Sequence, residues 1–176
     1  MIAAEFSRPV SADTIGAQPR TLEISADETE RRKLAGRFGL QAIARLTATV
    51  TLARRAGIVH ADGRIDADVT QSCVATGVSL PASIRAPFSV RYVPETGSAA
   101  VDEEVELSAE DCDTLPLAGE RIDIGELAAE TLALALDPFP RAADADAALA
   151  EAGVRAAADA GPFAALKGLK ERLEKR

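Results

Sequence analysis

The stretch RLTATVTLAR at residues 45–54 alternates apolar and polar side chains along its length. Every second position is apolar, namely Leu46, Ala48, Val50 and Leu52. A period of two places these side chains on one face of a β-strand. Strands with one apolar and one polar face are typical of antiparallel sheets that cover a core on one side only. The stretch therefore predicts a half-buried strand.

Two later stretches repeat this pattern, GRIDADVTQSC at residues 63–73 and SIRAPFSVRYV at residues 83–93. The dipeptides AG at 56–57 and DG at 62–63, and the segment TGVSLP at 76–81, predict the turns between the strands. Pro87 lies inside the third stretch and predicts an edge strand or a bulge, because proline cannot donate to a strand ladder. RTLEIS at residues 20–25 predicts a shorter strand, which we expect to be the first ordered piece of the chain.

The segment IDIGELAAETLALALDPFPR at residues 122–141 allows two interpretations. Three leucines alternate with alanines as in a strand, whereas Leu127, Leu132 and Leu136 also share one helical face. Asp123 is a suitable N-cap with Glu126 three positions later, and two prolines stop a helix after residue 136. The capping pattern and the prolines favour a helix over residues 125–136. A short strand over ERIDI, at residues 120–124, is expected to lead into it.

A second helix is predicted over residues 26–38, with Ser25 as N-cap, Glu28 three positions later, and Gly36 and Gly39 at its end. These elements predict an α+β fold: a curved antiparallel sheet or small open barrel of about five to six strands, two packed helices and a C-terminal helical tail. We expect one domain at 1–140, an alanine- and aspartate-rich linker or weak helix at 141–162, and a short basic amphipathic helix at 163–176.

The net charge of −8 is unevenly distributed. Residues 95–130 contain twelve acidic side chains and one arginine, whereas residues 163–176 contain five basic side chains and two glutamates. An acidic surface repels nucleic acid, because non-specific affinity for it comes from neutralised phosphates. A local basic patch remains compatible with such binding.

Residues able to support catalysis or bind a metal are few. His60 is the one histidine, expected on a hairpin, and Cys73 and Cys112 are the two cysteines. A structural zinc site needs four thiolate or imidazole ligands, so we expect Cys73 to be a small buried residue at a strand end. We expect no catalytic residue, no metal and no cofactor. Neither a membrane span nor a signal peptide is expected, and the cytoplasm is the expected location.

Four segments resemble a known family in their amino-acid sequences and in their order along the chain: EFSRPV, QSCVAT, IDIGELAAETLALALDPFPR and PFAALKGLK. Together they are similar to the YceD family, named for accumulation of large-subunit ribosomal RNA, in an alphaproteobacterial version. The family often shows C-x-x-C where this chain has Cys73 and Thr76. The resemblance implies a non-enzymatic bacterial protein needed for synthesis, processing or stability of 23S rRNA, commonly encoded beside ribosomal protein L32.

Two partner hypotheses follow, beside the simpler interpretation that the C-terminal helix packs on the body or on a second copy. In the first, a basic helix contacts rRNA phosphate in a pre-ribosomal particle, through Lys167, Lys170, Arg172, Lys175 and Arg176. In the second, the protein is an acidic adaptor or holdase for a basic ribosomal protein, through Glu103, Glu104, Glu106, Glu110, Asp111 and Asp113. Neither involves a membrane or a small-molecule substrate.

Overall fold

The computed structural model describes residues 5–94, 113–117 and 119–154. In chain order its elements are β1 (Pro9–Ser11), a 3₁₀ turn (Ala12–Thr14), β2 (Arg20–Ser25), α1 (Glu28–Phe38), β3 (Ala42–Arg55), β4 (Ile58–Ser72), β5 (Ser79–Pro94), β6 (Thr114–Leu117), β7 (Arg121–Asp123), α2 (Ile124–Ala135) and α3 (Ala145–Glu151). The predicted α+β fold is confirmed. The basic helix expected at 163–176 lies outside the described residues.

Five strands form one open sheet in the order β2-β3-β4-β5-β6. The pairs β2–β3 and β3–β4 are antiparallel, whereas β6 runs parallel to β5. The sheet is therefore mixed, and the expectation of a wholly antiparallel sheet was wrong at this edge. A parallel neighbour requires a long connection, which residues 95–113 provide between β5 and β6. Pro87 precedes the part of β5 that pairs with β6, consistent with its predicted edge position.

The hairpin between β3 and β4 turns on Ala56 and Gly57, as predicted. Both residues have positive φ, 49° and 85°, the signature of a tight two-residue turn that glycine adopts without strain. The second predicted turn, at Asp62 and Gly63, was wrong because both lie inside β4. Gly63 faces the Phe88 ring, and an added Cβ there would lie 2.6 Å from that ring. Close packing against neighbouring strands therefore explains why residue 63 is a glycine.

A second sheet pairs β1 with β7, antiparallel, with Val10 opposite Ile122. The predicted strand before α2 is confirmed as β7, but the expectation that β2 is the first ordered piece was wrong. β1 has three residues and begins with proline, so it carries no alternating pattern of its own. Its pairing with β7 joins the N-terminal segment to the start of α2.

Both predicted helices form, with differences at their caps. Ser25 belongs to β2, and Asp27 caps α1 in a reciprocal capping box with Glu30. Asp123 caps α2 as predicted and accepts hydrogen bonds from the backbone N–H of Gly125 and Glu126. The Glu126 side chain, expected to complete a capping box, instead pairs with an arginine of α1.

One hydrophobic core lies between the apolar face of the sheet and the helices. Leu46, Val50 and Leu52 of β3 are at most 1% exposed, and so is Leu34 of α1. The α2 side chains Leu127, Ala128 and Leu132 and the N-terminal Phe6 join the same cluster. Leu136 is partly buried against it, so the predicted buried face of α2 is confirmed.

The chain divides into two compact units, the first comprising Met1–Gln71 and Pro81–Pro138, the second Ser72–Leu80 and Phe139–Arg176. The sheet core and α2 belong mainly to the first unit. In the second unit, the turn after β4 is closed by a hydrogen bond from Cys73 N–H to the Val78 carbonyl, 2.8 Å. Helix α3 forms within the alanine-rich stretch at 141–162. The expected division into domain, linker and basic helix stays a prediction.

Candidate partner-binding site

The N-terminus of α2 is attached to the N-terminal segment through Asp123. Besides capping the helix, this carboxylate accepts the Arg8 backbone N–H at 2.7 Å and the Ser7 hydroxyl at 2.5 Å. Gly125 permits this close approach, because an added Cβ would lie 2.5 Å from the Phe6 carbonyl oxygen. The segment EFSRPV thereby orients α2 against the core. A groove forms along the side of this helix.

The α2 groove is a cleft of about 610 Å³ in the first unit, bounded by α2, β5 and the start of β6. Its lining residues are Ala86, Pro87, Phe88, Ser89, Val90, Asp113, Leu115, Leu127, Glu130, Thr131, Leu134 and Ala135. Most are apolar, and the Thr131 hydroxyl donates internally to the Leu127 carbonyl at 2.7 Å. Leu134 is 89% exposed and Leu115 is 38% exposed. The groove therefore leaves large aliphatic side chains in contact with water.

Asp113 and Glu130 are the charged residues among those that line the α2 groove. Burial raises the pKa of the Glu130 carboxyl above its usual range, and the neighbouring Glu126 carboxylate adds to the rise. The positive charge of Arg37 opposes this rise in the pKa of Glu130 only in part. The Arg37 guanidinium pairs with Glu126 at 2.7 Å and with Glu5 at 3.0 Å. Among the described residues, the groove therefore combines an apolar lining with two carboxylates and no lining arginine or lysine.

The polar face of the five-stranded sheet has a different electrostatic character. Arg45 pairs with Asp68 at 2.9 Å, and Arg64 and Arg85 pair with Asp66 at 3.5 and 3.1 Å. Two of these pairs cross between strands and the Arg64–Asp66 pair lies along β4, so two carboxylates partly offset the positive charge of three arginines. Phosphate groups would have to compete with these aspartates for the three guanidinium groups.

In the second unit, Cys73 lies directly after β4 and is 2% exposed, as its predicted strand-end position requires. Its Sγ accepts the Ala142 N–H at 3.3 Å. The Thr76 Oγ1 is buried and has no hydrogen-bond partner within geometric limits in the described part of the chain. This hydroxyl is the main cause that lowers the pKa of Cys73 to about 7, with Ala142 N–H second and burial opposing both.

The structure places one of the predicted partner-binding residues. Asp113 is exposed and lines the α2 groove. The other five acidic candidates and all five basic candidates lie outside the described residues. Sequence reasoning missed Glu130, which the fold brings to the same groove as Asp113. A signal was available in Leu134, which falls off the buried leucine stripe of α2 and is therefore an apolar side chain on an outward face.

His60 lies on β4 opposite Ala53, next to the hairpin where it was expected, and is partly buried. Within residues 5–94, 113–117 and 119–154, no group of three or more His, Cys, Asp or Glu side chains is arranged to hold a metal ion. Over those same residues, none of the helices is both long and apolar enough to cross a bilayer.

The described residues define a small α+β protein with an acidic, apolar groove beside its second helix. The family model described as "Large ribosomal RNA subunit accumulation protein YceD" matches residues 61–170, well over half of the chain, and the protein belongs to this family. The match includes β4, β5, α2 and the α2 groove. No curated protein and no solved structure matches the chain.

Proposed function

We propose that this protein is a non-enzymatic factor in biogenesis of the large ribosomal subunit in the bacterial cytoplasm, where it supports synthesis, processing or stability of 23S rRNA. Membership of a family named for accumulation of large-subunit rRNA carries the proposal. A role without catalysis accords with that family description, and the described residues offer an apolar groove and paired surface charges for contact with a partner.

Depletion of the protein from its own cells tests this function. We expect fewer large-subunit particles in sucrose-gradient sedimentation and accumulation of precursor 23S rRNA, both restored by the full chain supplied from a plasmid. Unchanged particle levels together with unchanged precursor rRNA would contradict the proposal. Small-subunit particles and 16S precursors in the same extracts are the internal control.

The second candidate, an acidic adaptor for a basic ribosomal protein, is favoured by one observation. Asp113, the last residue of the acidic cluster, lines an apolar groove together with a second carboxylate, Glu130. Apolar area and opposite charge together are what a basic protein segment needs for binding, whereas RNA contact relies on lysine and arginine.

The two partner hypotheses separate in paired variants of the complementing chain. One variant lacks residues 163–176, and the other carries amides in place of the acidic residues at 102–113. If particle association survives the deletion but not the neutralisation, the contact is acidic, and the basic-helix hypothesis is wrong. The opposite result supports contact of Lys167, Lys170, Arg172, Lys175 and Arg176 with rRNA phosphate.

A further inference from the structure

The α2 groove has an unusual distribution of aliphatic side chains. Helix α2 buries Leu127 at 5% exposure and Leu132 at 0%, yet leaves Leu134 at 89%. Leu115 of β6 is also exposed, and both leucines line the same cleft. A hydrophobic side chain held in water on a rigid helix contributes nothing to folding, but it contributes free energy when a partner covers it. The groove is therefore poised to bury apolar area in a complex.

The charges of the α2 groove indicate the composition of a partner that would fit it. Glu130 is exposed and lines the groove together with Asp113, and among the described residues the lining contains no lysine or arginine. Arg37 is a cation whose charge acts on the Glu130 carboxylate, and it already pairs with Glu126 and Glu5. A cation from a partner would meet Glu130 and Asp113 without displacing an existing ion pair in the lining. The complementary ligand is apolar at its centre and basic at its edges.

We propose that the α2 groove binds an amphipathic basic helix of a protein partner, whose apolar row covers Leu134 and Leu115 and whose lysine or arginine side chains pair with Glu130 and Asp113. This inference rests on the proposed function, which directs the protein to ribosomal partners, and it identifies the partner class as a basic ribosomal protein. Apolar residues at i, i+3, i+4 and i+7 on a helix are the usual ligand of such a groove.

Protein is favoured over RNA by the same features. RNA grooves combine positive charge with aromatic side chains on which bases stack. The α2 groove carries two carboxylates, and Phe88 is the one aromatic residue among the described residues that line it. On the polar face of the sheet, three arginines that could attract phosphate, Arg45, Arg64 and Arg85, pair with Asp66 and Asp68.

Fluorescence anisotropy with the purified full chain tests the site. The probe is a labelled 18-residue helical peptide with leucines at i, i+3, i+4 and i+7 and lysines at the flanking positions. Two matched controls have the same length: a scrambled peptide that breaks the leucine row, and a peptide with glutamate in place of lysine. We expect binding of the probe and at least about tenfold weaker binding of each control, since both the apolar row and the positive edges are needed.

Variants of the chain locate the binding surface. We expect Leu134→Lys to weaken probe binding by at least about tenfold, because it removes apolar area and adds repulsion. Glu130→Gln is expected to weaken it about two- to fivefold, the range of one exposed ion pair. Matched controls are Val154→Lys, another exposed aliphatic residue, and Glu23→Gln, an acidic residue on the polar face of the sheet, and both should leave binding unchanged. All four sites are exposed, so thermal unfolding should show folded variants.

Other outcomes would overturn the inference. Unchanged affinity in Leu134→Lys would place the peptide elsewhere. A dimer of the wild-type chain that dissociates in Leu134→Lys would identify a second copy as the occupant. Tighter peptide binding after deletion of residues 163–176 would identify the chain's own C-terminal segment. Competition by a single-stranded RNA oligonucleotide, lost in the same groove variants, would identify RNA.

Complementation in cells distinguishes a failure of the groove proposal from a failure of the proposed function. If Leu134→Lys abolishes peptide binding but restores large-subunit particles in depleted cells, the assignment of a ribosomal protein as the groove's partner is wrong and the function stands. If depletion leaves the particles unchanged while the peptide still binds in a Leu134-dependent way, the function is wrong and the groove stands. Both are supported if Leu134→Lys abolishes binding and fails to restore the particles, while Val154→Lys restores them.

Discussion

Arg8 and Glu30 form a two-pronged ion pair between the N-terminal segment and the start of helix α1. Arg8 Nη1 lies 2.7 Å from Glu30 Oε1, and Nη2 lies 2.9 Å from Oε2. The same arginine stacks over the Phe6 ring, 4.8 Å from its centroid, and donates to the Ser25 carbonyl. Because the Arg8 backbone also binds Asp123, this residue connects α1, β2 and the N-terminus of α2. The segment EFSRPV therefore has a structural role.

Glu30→Gln is expected to lower the free energy of unfolding by about 1–3 kcal/mol at pH 7, because one partner of a charge-assisted, partly buried pair is lost. Arg8 holds the pKa of Glu30 below its ordinary value of 4.5. The pair's contribution is present above pH 4.5 and is lost as pH falls through the lowered pKa. Denaturant unfolding of both proteins over pH 3–7 should show their difference shrinking at the acid end.

The matched control is Glu28→Gln on the same helix. Glu28 pairs with Arg32 at 2.7 Å, but both side chains are more than 70% exposed. Such an exposed pair contributes about 0.3–0.5 kcal/mol. Equal losses of unfolding free energy in Glu30→Gln and Glu28→Gln would show that the Arg8–Glu30 pair stabilises the fold no more than an exposed pair does.

Gly125→Ala should destabilise the protein by about 1–3 kcal/mol, since the new Cβ would lie 2.5 Å from the Phe6 carbonyl oxygen and force the N-terminal segment away. Gly36→Ala is the paired experiment, because no atom lies within 4 Å of a Cβ added at Gly36 in α1. There we expect a gain of about 0.5–1 kcal/mol from helix propensity. Chemical denaturation measures both, and a loss at Gly36 or a gain at Gly125 would contradict the packing described.

Two neighbouring leucines of α2 should respond differently to the same truncation. Leu132 is fully buried, and Leu132→Ala is expected to lower the free energy of unfolding by about 2–5 kcal/mol through lost burial and a residual cavity. Leu134 is 89% exposed, and Leu134→Ala should change it by less than about 0.5 kcal/mol. A large loss at Leu134 would mean that this side chain is covered within the folded protein.

Cys73 is expected to titrate near pH 7, as monitored by thiolate absorbance near 240 nm on the folded protein. Thr76→Val removes the hydroxyl that contributes most to this shift, so the midpoint should rise towards the ordinary value of 9. Because Cys112 is a second thiol, the measurement uses a Cys112→Ser background. An unchanged midpoint in Thr76→Val would show that backbone N–H groups alone stabilise the thiolate.

Several features of the fold were predictable from local pattern. The alternation in β3, β4 and β5 follows from a period of two, and the face of α2 from Leu127 and Leu132. The stop at Pro138 and the cap at Asp123 are equally local, since each depends on residues within one helical turn.

Other features depend on residues distant in the chain. Asp27 rather than Ser25 caps α1, because β2 extends through Ser25 in its pairing with β3. Glu126 pairs with Arg37, far away in sequence, instead of closing a local capping box. The second predicted turn failed because Gly63 accommodates the Phe88 ring of a neighbouring strand.

The sequence by itself determined the α+β class, the core-facing positions and the family, since these depend on periodicity, capping and the order of characteristic segments. Only the tertiary structure decided that β6 runs parallel to β5 and that β1 pairs with β7. It also decided that Asp113 and Glu130, on a strand end and a helix, share one apolar groove. The physical reason is that local interactions set the shape of each element. Which elements pack against one another depends instead on how the chain as a whole buries its apolar surface.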